Sequence, residues 1–291
     1  MDSVKIGLIG LGTIGTGVAK TLLENTALLE ERLGFSLDLT AIADIDITKD
    51  RGVSIPRNML TTDAYAIINN PDVDIVVELI GGIEPARTFI LDSLKAGKHV
   101  VTANKALLAS KGKELFDAAQ TCGRDLYYEA SVGGGIPIIK TLRESLIANN
   151  FVFIYGILNG TCNFILTEMS EKGSSFEDTL RQAQELGYAE ANPAMDVEGT
   201  DSAHKLAIIT SLAYGVPPDM SGVYVEGISG LDILDVGYAR ELGYKVKLLA
   251  LAINRGEKVE ARVHPTLVPL NYLLSKVDGV FNAFYVRGDI V

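Results

Sequence analysis

Cysteine and histidine are scarce in this chain of 291 residues, with two of the former and three of the latter. Cys122 and Cys162 cannot frame a disulfide-stapled fold, and neither sits in zinc-ligand spacing. So few imidazoles leave a transition-metal centre without its usual ligands. Basic residues are outnumbered, 26 Lys and Arg against 37 Asp and Glu, for a formal net charge of −11. A nucleic-acid surface needs a basic stripe, so nucleic acid is excluded as an expected partner. No apolar run approaches the ~18 residues that span a bilayer, so no membrane role is expected. The opening Met1-Asp2-Ser3-Val4-Lys5 runs straight into a strand, without the pattern of a leader. What is present is 47% hydrophobic and 22% charged residues. That supports a packed core, and at ~150 residues per domain the length predicts about two domains. A globular cytoplasmic protein is expected.

The first half alternates between strands and helices. Val4–Ile9 reads as a strand, followed by a helical stretch to about Glu31 and a second strand, Leu37–Ala43. A short strand is expected near Val53, then helix Thr62–Asn69 and strand Val73–Leu79. Helix Pro85–Ala96, strand His99–Ala103 and helix Lys105–Thr121 follow. This alternation predicts an α/β fold with a mostly parallel sheet covered on both faces. The texture changes at Tyr127–Pro137, which places a domain boundary near residue 128, giving 1–128 and 129–291. Helices are expected to dominate from there to Gly215. Strands are expected to return at Lys245–Ile253, Val259–Val263 and Val280–Val286.

Three places carry chemistry. The first is Gly10-Leu11-Gly12-Thr13-Ile14-Gly15, a GxGxxG pattern that follows a strand and opens a helix. There Gly10 allows the tight turn, Gly12 the approach of a pyrophosphate, and Gly15 close packing of helix on strand. The helix N-terminus, Thr13 and Ile14 included, offers free N–H groups and a positive dipole end to phosphate. Asp44, closing the second strand, is placed to bind adenosine ribose hydroxyls; the Leu28–Phe35 stretch explains its late arrival. An aspartate there favours NAD by repelling a 2′-phosphate, while nearby Lys49 and Arg51 keep NADP open. The second place is the pair of strand ends at Gly81-Gly82 and Asn104-Lys105, since ligands of open α/β sheets bind beyond the carboxyl ends of strands. The third is Asp201 and Lys205, spaced i,i+4 so that they share a helix face. Ala203 and Leu206–Ile209 make that helix look buried, and buried charges are costly unless paired or functional. His204 is expected to cap or pack.

Together with Asn104-Lys105-Ala106-Leu107, Tyr128–Pro137, Asn159-Gly160-Thr161-Cys162-Asn163, Gly187-Tyr188-Ala189-Glu190 and Asp196–Lys205, these motifs strongly resemble homoserine dehydrogenase over the whole chain. The resemblance implies an N-terminal Rossmann domain binding NAD or NADP, and a second α/β domain with a mixed α+β sheet, which is catalytic and forms a homodimer. The implied reaction interconverts L-homoserine and L-aspartate 4-semialdehyde on the route to threonine and methionine. It makes Lys205 the proton-transfer residue, Lys105 a second lysine at the reacting oxygen that also meets the cofactor, and Asp201 an orienting, substrate-contacting carboxylate. Glu190 would bind the substrate ammonium, with Thr161, Tyr188 and Asp196 lining the substrate pocket. Gly10, Gly12, Thr13, Ile14, Gly15, Asp44, Gly81 and Gly187 would bind the cofactor. Backbone carbonyls of Glu129, Val132, Gly134 and Ile136 would hold sodium or potassium. The alternatives are another NAD(P)-dependent amino- or hydroxy-acid dehydrogenase, or a non-catalytic dinucleotide sensor. Finally, the chain reads as a strand that stops at Gly288-Asp289-Ile290-Val291. The family continues into a glycine-rich segment and a closing helix, so the second domain is expected to be C-terminally incomplete and the cofactor site partly uncovered.

Overall fold

A computed structural model of the chain describes residues 3–291; Met1 and Asp2, part of the opening read as lacking a leader, lie outside the described residues. The chain divides into two compact units, Met1–Ser131 and Val132–Val291.

In the first unit the strands are β1 (Ser3–Ile9), β2 (Ser36–Ala43), β3 (Leu60–Thr61), β4 (Ile75–Glu78), β5 (His99–Thr102) and β6 (Leu126–Tyr127). They pair in the order β3-β2-β1-β4-β5-β6, and every pairing is parallel. The order reverses beside β1, and a crevice opens at such a switch point, beyond the carboxyl ends of the strands. Leu8, Ile42, Ile67 and Ile90 are fully buried, as a sheet covered by helices on both faces requires. Asn104 caps helix Lys105–Cys122 by accepting the Leu107 N–H at 3.2 Å, and Gly123, at φ +60°, ends it.

Two local expectations are corrected here. The helix expected to run to Glu31 is two helices, Thr13–Glu24 and Thr26–Leu33, broken at Asn25, whose backbone is not helical. The strand expected near Val53 lies at Leu60–Thr61. Around Val53 the backbone instead satisfies itself on aspartate side chains: Thr48 N–H donates to Asp46 and Gly52 N–H to Asp50, turning the chain before it can pair.

The second unit carries β7 (Phe151–Ile157), β8 (Val223–Val225), β9 (Tyr244–Asn254), β10 (Val259–Pro269) and β11 (Ala283–Gly288), in the order β11-β7-β9-β10-β8. All pairs are antiparallel except β10 with β8. Helices dominate up to Gly215, with one strand among them that was not expected: β7 is an inner strand, pairing Tyr155 with both Leu251 and Tyr285. Its aromatic and β-branched run Phe151–Tyr155 is what a pleated, buried surface favours. The terminal strand ends at Gly288, and Ile290 N–H donates to the Asn149 side chain instead of extending a ladder.

Helices Gly160–Lys172, Thr200–Tyr214 and Ile233–Glu241 pack against this sheet. Elsewhere on it, Phe153 stacks on Tyr155 with ring centroids 4.5 Å apart, and both line a hollow of about 730 Å³ with Leu249, Leu251 and Tyr285. On the rim of this hollow, Leu273 is 80% exposed and Tyr272 63%.

Lys247 on β9 is wholly buried. Its ammonium donates to Asn163 Oδ1 at 2.9 Å, Val277 O at 2.6 Å and Asp278 Oδ1 at 3.0 Å. Asn163 Nδ2 in turn donates to Val277 O and Phe281 O, so segment 277–281 is strapped to the start of helix Gly160–Lys172. That start also carries Thr161.

Candidate active site

The glycine loop follows β1 directly. Gly10 has φ +101°, a conformation other residues avoid, and a Cβ there would lie 2.7 Å from the Leu79 carbonyl carbon. A Cβ on Gly15 would lie 2.0 Å from Gly10 O, so the helix sits as close to the loop as a backbone permits. A Cβ on Gly12 would meet nothing within 4 Å: the space in front of the loop is open. Gly10, Gly12, Asp44, Lys49, Arg51 and Gly81 line one cleft of about 750 Å³. Thr13 and Ile14 stand exposed at the helix start and line a separate shallow groove.

Asp44 is fixed from two sides. Oδ2 accepts the Leu11 N–H at 2.5 Å, which ties the end of β2 to the glycine loop. Oδ1 accepts the Asp46 N–H at 2.9 Å and Arg51 Nη2 at 3.3 Å. The Asp44–Arg51 pair is largely buried, with 12% and 14% of the side chains exposed. The cleft thus holds an acceptor suited to ribose hydroxyls together with a cation that offsets its charge. An open backbone cradle at a helix N-terminus beside this acceptor fits a dinucleotide.

Glu78, to which the sequence reading gave no role, is buried at the end of β4 and bonded to the Ile80 N–H and the Thr102 hydroxyl. The signal was there: a single carboxylate ends the apolar run Ile75–Val77. Lys105, half-buried, opens the helix after β5 in the same unit.

The second unit brings together most of its expected residues. Asn159, 5% exposed, accepts the Cys162 N–H at 2.8 Å as cap of helix Gly160–Lys172. Its amide nitrogen donates to Asp196 Oδ1 at 2.6 Å and to Asp201 Oδ2 at 3.0 Å. An amide NH₂ has two hydrogens, so one asparagine holds two carboxylates side by side. The motif containing Asn159 was noticed, but its bridging position depends on residues 37 and 42 positions away.

Thr161 donates to Tyr188 O at 2.7 Å and lies 3.3 Å from Asp196 Oδ2. Asp201 sits in the first turn of helix Thr200–Tyr214, where the dipole favours an anion. Lys205 Nζ donates to Asp201 Oδ2 at 2.7 Å and to Leu158 O at 2.6 Å. The side chains of Asp201 and Lys205 are 6% and 15% exposed, so the pair is desolvated rather than a surface decoration. Tyr188, half-exposed, meets Phe164 edge-on at 5.1 Å. Burial, with Asp196 and Asp201 adding to it, pushes the Cys162 thiol well above its ordinary range, and the thiol donates to Asp196 O at 3.1 Å.

Glu190 stands apart from this cluster: it is exposed, and the contact it makes there is through its carbonyl, which accepts Gln184 Nε2. Gly187 turns the chain after helix Phe176–Glu185 at φ +76°. In the loop joining the units, Glu129–Ser131 form a single 3₁₀ turn, and Gly133 and Gly135 have positive φ. Among the described residues, no group of three or more His, Cys, Asp or Glu side chains could hold a metal, and no helix is long and apolar enough to cross a membrane.

A dinucleotide cleft and a buried lysine–carboxylate cluster in one chain have close parallels among known proteins. The family model for the NAD binding domain of homoserine dehydrogenase matches residues 10–129, and the homoserine dehydrogenase model matches residues 137–291. The homoserine dehydrogenase of Neisseria gonorrhoeae is 49% identical over 291 residues, covering all of this chain, and that of Bacillus subtilis is 44% identical. The crystal structure of a homoserine dehydrogenase from Thiobacillus denitrificans superposes with a TM-score of 0.95 at 48% identity over 99% of the chain. A hyperthermophilic archaeal homoserine dehydrogenase in complex with NADPH gives 0.79 at 26% identity, covering 99% of this chain and 88% of its own. The chain spans 67% of the length of the Neisseria, Bacillus and Thiobacillus proteins. On these matches, which run through both units in order, the chain belongs to the homoserine dehydrogenase family.

Proposed function

We propose that this chain carries the NAD(P)-dependent interconversion of L-homoserine and L-aspartate 4-semialdehyde with Lys205 as the proton-transfer residue. The observation that carries the assignment is the buried lysine held by Asp201 and the Leu158 carbonyl. When bound in the cleft lined by Gly10, Gly12 and Asp44, NAD(P) would supply the hydride chemistry. In oxidation the neutral amine of Lys205 takes the proton of the substrate hydroxyl; in reduction its ammonium returns one to the aldehyde oxygen. Among the described residues two acceptors hold Nζ, which leaves one of the three N–H groups of the ammonium for the substrate oxygen. Asp201 orients the lysine and contacts substrate, Asn159 bridges Asp201 and Asp196, and Thr161, Tyr188 and Asp196 line the pocket. Lys105 is assigned a second contact with substrate and cofactor, and Gly187 a cofactor contact.

In the nucleotide unit, residues 1–128 by the sequence boundary, Gly10, Gly12, Thr13, Ile14 and Gly15 take the pyrophosphate, and Gly81 a neighbouring part of the cofactor. Asp44 takes the adenosine ribose. Because Arg51 already offsets the Asp44 charge, with Lys49 close by, the cleft admits a 2′-phosphate, so both NAD and NADP are substrates. The remainder, 129–291, is assigned to substrate binding and dimerisation.

The test is reduction of NAD⁺ and of NADP⁺ followed at 340 nm with L-homoserine against other hydroxy acids. Activity equal with hydroxy acids that lack the amino group would remove the homoserine assignment. Glu190 is assigned to the substrate ammonium, and its exposure suits a group that meets an incoming ligand. Glu190→Gln should raise the KM for homoserine about tenfold or more while changing kcat little, because a charge-assisted contact is lost; an unchanged KM removes that role.

Two further assignments complete the reading. A monovalent cation, sodium or potassium, is held by the carbonyls of Glu129, Val132, Gly134 and Ile136, the hard ligands it prefers; the positive φ of Gly133 and Gly135 supports a chain that can turn carbonyls inward. Activity indifferent to replacing both ions by a bulky organic cation would discard this. The aromatic hollow with exposed Tyr272 and Leu273 supports a homodimer through this sheet, in a cytoplasmic enzyme. A monomer at micromolar concentration in sedimentation equilibrium would discard that.

A further inference from the structure

Glu78 is a charged residue type in a place where an apolar one would pack. It ends β4 after Ile75-Val76-Val77 and is 0% exposed. A buried carboxylate is weak evidence for stability, because an apolar residue of the same size often serves as well or better. Its bonds show what it organises. Oε1 accepts the Ile80 N–H at 2.8 Å, with the Gly81 N–H at 3.4 Å, and so curls the chain after β4 back on the strand end. Oε2 accepts the Thr102 hydroxyl at 2.7 Å, reaching across to the last residue of β5. Thr102 Oγ1 accepts the Asn104 N–H at 3.0 Å. Asn104 then closes the circuit: Nδ2 donates to Gly82 O at 2.7 Å, while Oδ1 caps the helix through the Leu107 N–H.

The loops after β4 and β5 are therefore one hydrogen-bonded body with Glu78 at its root. One side of it, Ile80 and Gly81, lines the nucleotide cleft. The other side delivers Lys105, the residue after Asn104. We propose that Glu78 is a positioning residue, which sets the Ile80–Gly81 wall of the cleft and the first turn bearing Lys105 through Thr102 and Asn104. The inference rests on the reading of the cleft as the NAD(P) site.

Two small changes cut the circuit at different bonds. Glu78→Gln keeps the volume and the acceptor for Ile80 but presents an NH₂ where Thr102 needs an acceptor. Thr102→Val removes the hydroxyl at nearly constant volume. NADPH affinity by isothermal titration calorimetry and kcat are measured for each variant and for the double variant. Each single change should weaken NADPH binding about three- to tenfold, the worth of one hydrogen bond, and lower kcat. Because both cut one circuit, the double variant should lose little more than the worse single one. Thr102→Ser, which keeps the hydroxyl, should restore affinity and kcat, separating positioning from general packing. Unchanged NADPH affinity and kcat in both single variants, or losses that simply multiply in the double, would overturn the proposal. If Glu78→Gln does not fold, the Thr102→Val and Thr102→Ser pair decides alone. A wild-type chain that bound no NADPH would overturn the reading of the cleft itself, a result distinct from any difference among variants.

Discussion

Lys205→Ala should reduce kcat by about a thousandfold or more while leaving the Kd for NAD(P)H within about threefold. A general acid–base contributes ~10²–10⁴-fold, and loss of the lysine also leaves Asp201 without its counter-ion. The nucleotide cleft lies in the other unit, built from Gly10, Asp44 and Gly81, so cofactor affinity is the control that separates lost chemistry from lost fold. Lys205→Arg should not restore turnover, since a guanidinium stays protonated and cannot act as a base. Near wild-type kcat in either variant would sink the assignment of Lys205. A parallel collapse of NAD(P)H affinity in Lys205→Ala would do the same, because the residue would then be structural.

The second large effect belongs to Gly15. A methyl group there would stand 2.0 Å from Gly10 O, and a backbone oxygen in a tight turn cannot swing aside as a side chain can. Gly15→Ala must therefore push the helix off the loop, separating the N–H groups of the helix start from the turn that aims the phosphates. NAD(P)H affinity should fall by at least about tenfold, with a stability loss of ~1–3 kcal/mol from overpacking. Gly17, on the same helix, is the matched control: a Cβ there meets nothing within 4 Å. Gly17→Ala should bind cofactor normally and gain ~0.5–1 kcal/mol of helix stability. Equal affinity in the two variants would show that close contact at Gly15 is not what shapes the loop.

The ease of reading these features from sequence followed the range of the interactions behind them. The glycine loop and the Asp201–Lys205 pair are local, set by a strand–turn–helix pattern and an i,i+4 spacing, and both stand in the structure at the predicted elements. Much of the parallel sheet of the first unit was legible too, since β1, β2, β4 and β5 alternate with helices; the two-residue strands β3 and β6 were misplaced and missed. What escaped was decided by distant partners. β7 looks like any apolar stretch until β9 and β11 supply its ladders, from about 100 and 130 residues downstream. The stretch near Val53 and the true strand at Leu60–Thr61 could not be told apart because aspartate side chains, not a propensity, turn the chain at 46–52. Glu78 and the bridging place of Asn159 were missed for a similar reason: their partners become visible only when strand ends and helix caps converge.

The lysine wrapped by Asn163, Val277 and Asp278 on β9 also bears on how the fold responds to alkali. Burial, opposed by the bond to Asp278, leaves Lys247 with an affinity for its proton below that of an ordinary lysine. Between that lowered pKa and the ordinary value near 10.5, the unfolded chain holds more of this proton than the folded one. Stability from this group therefore rises with pH through that window, being smallest below the folded pKa. Tyr214 works the other way: burial raises it from 10.0 to about 12, so its contribution is intact below pH 10 and is lost as the pH climbs towards 12. The raised thiol of Cys162 has the same sign as Tyr214. An ammonium that straps a loop in place near neutrality is thus also a counterweight, offsetting in mild alkali what the buried phenol and thiol begin to withdraw.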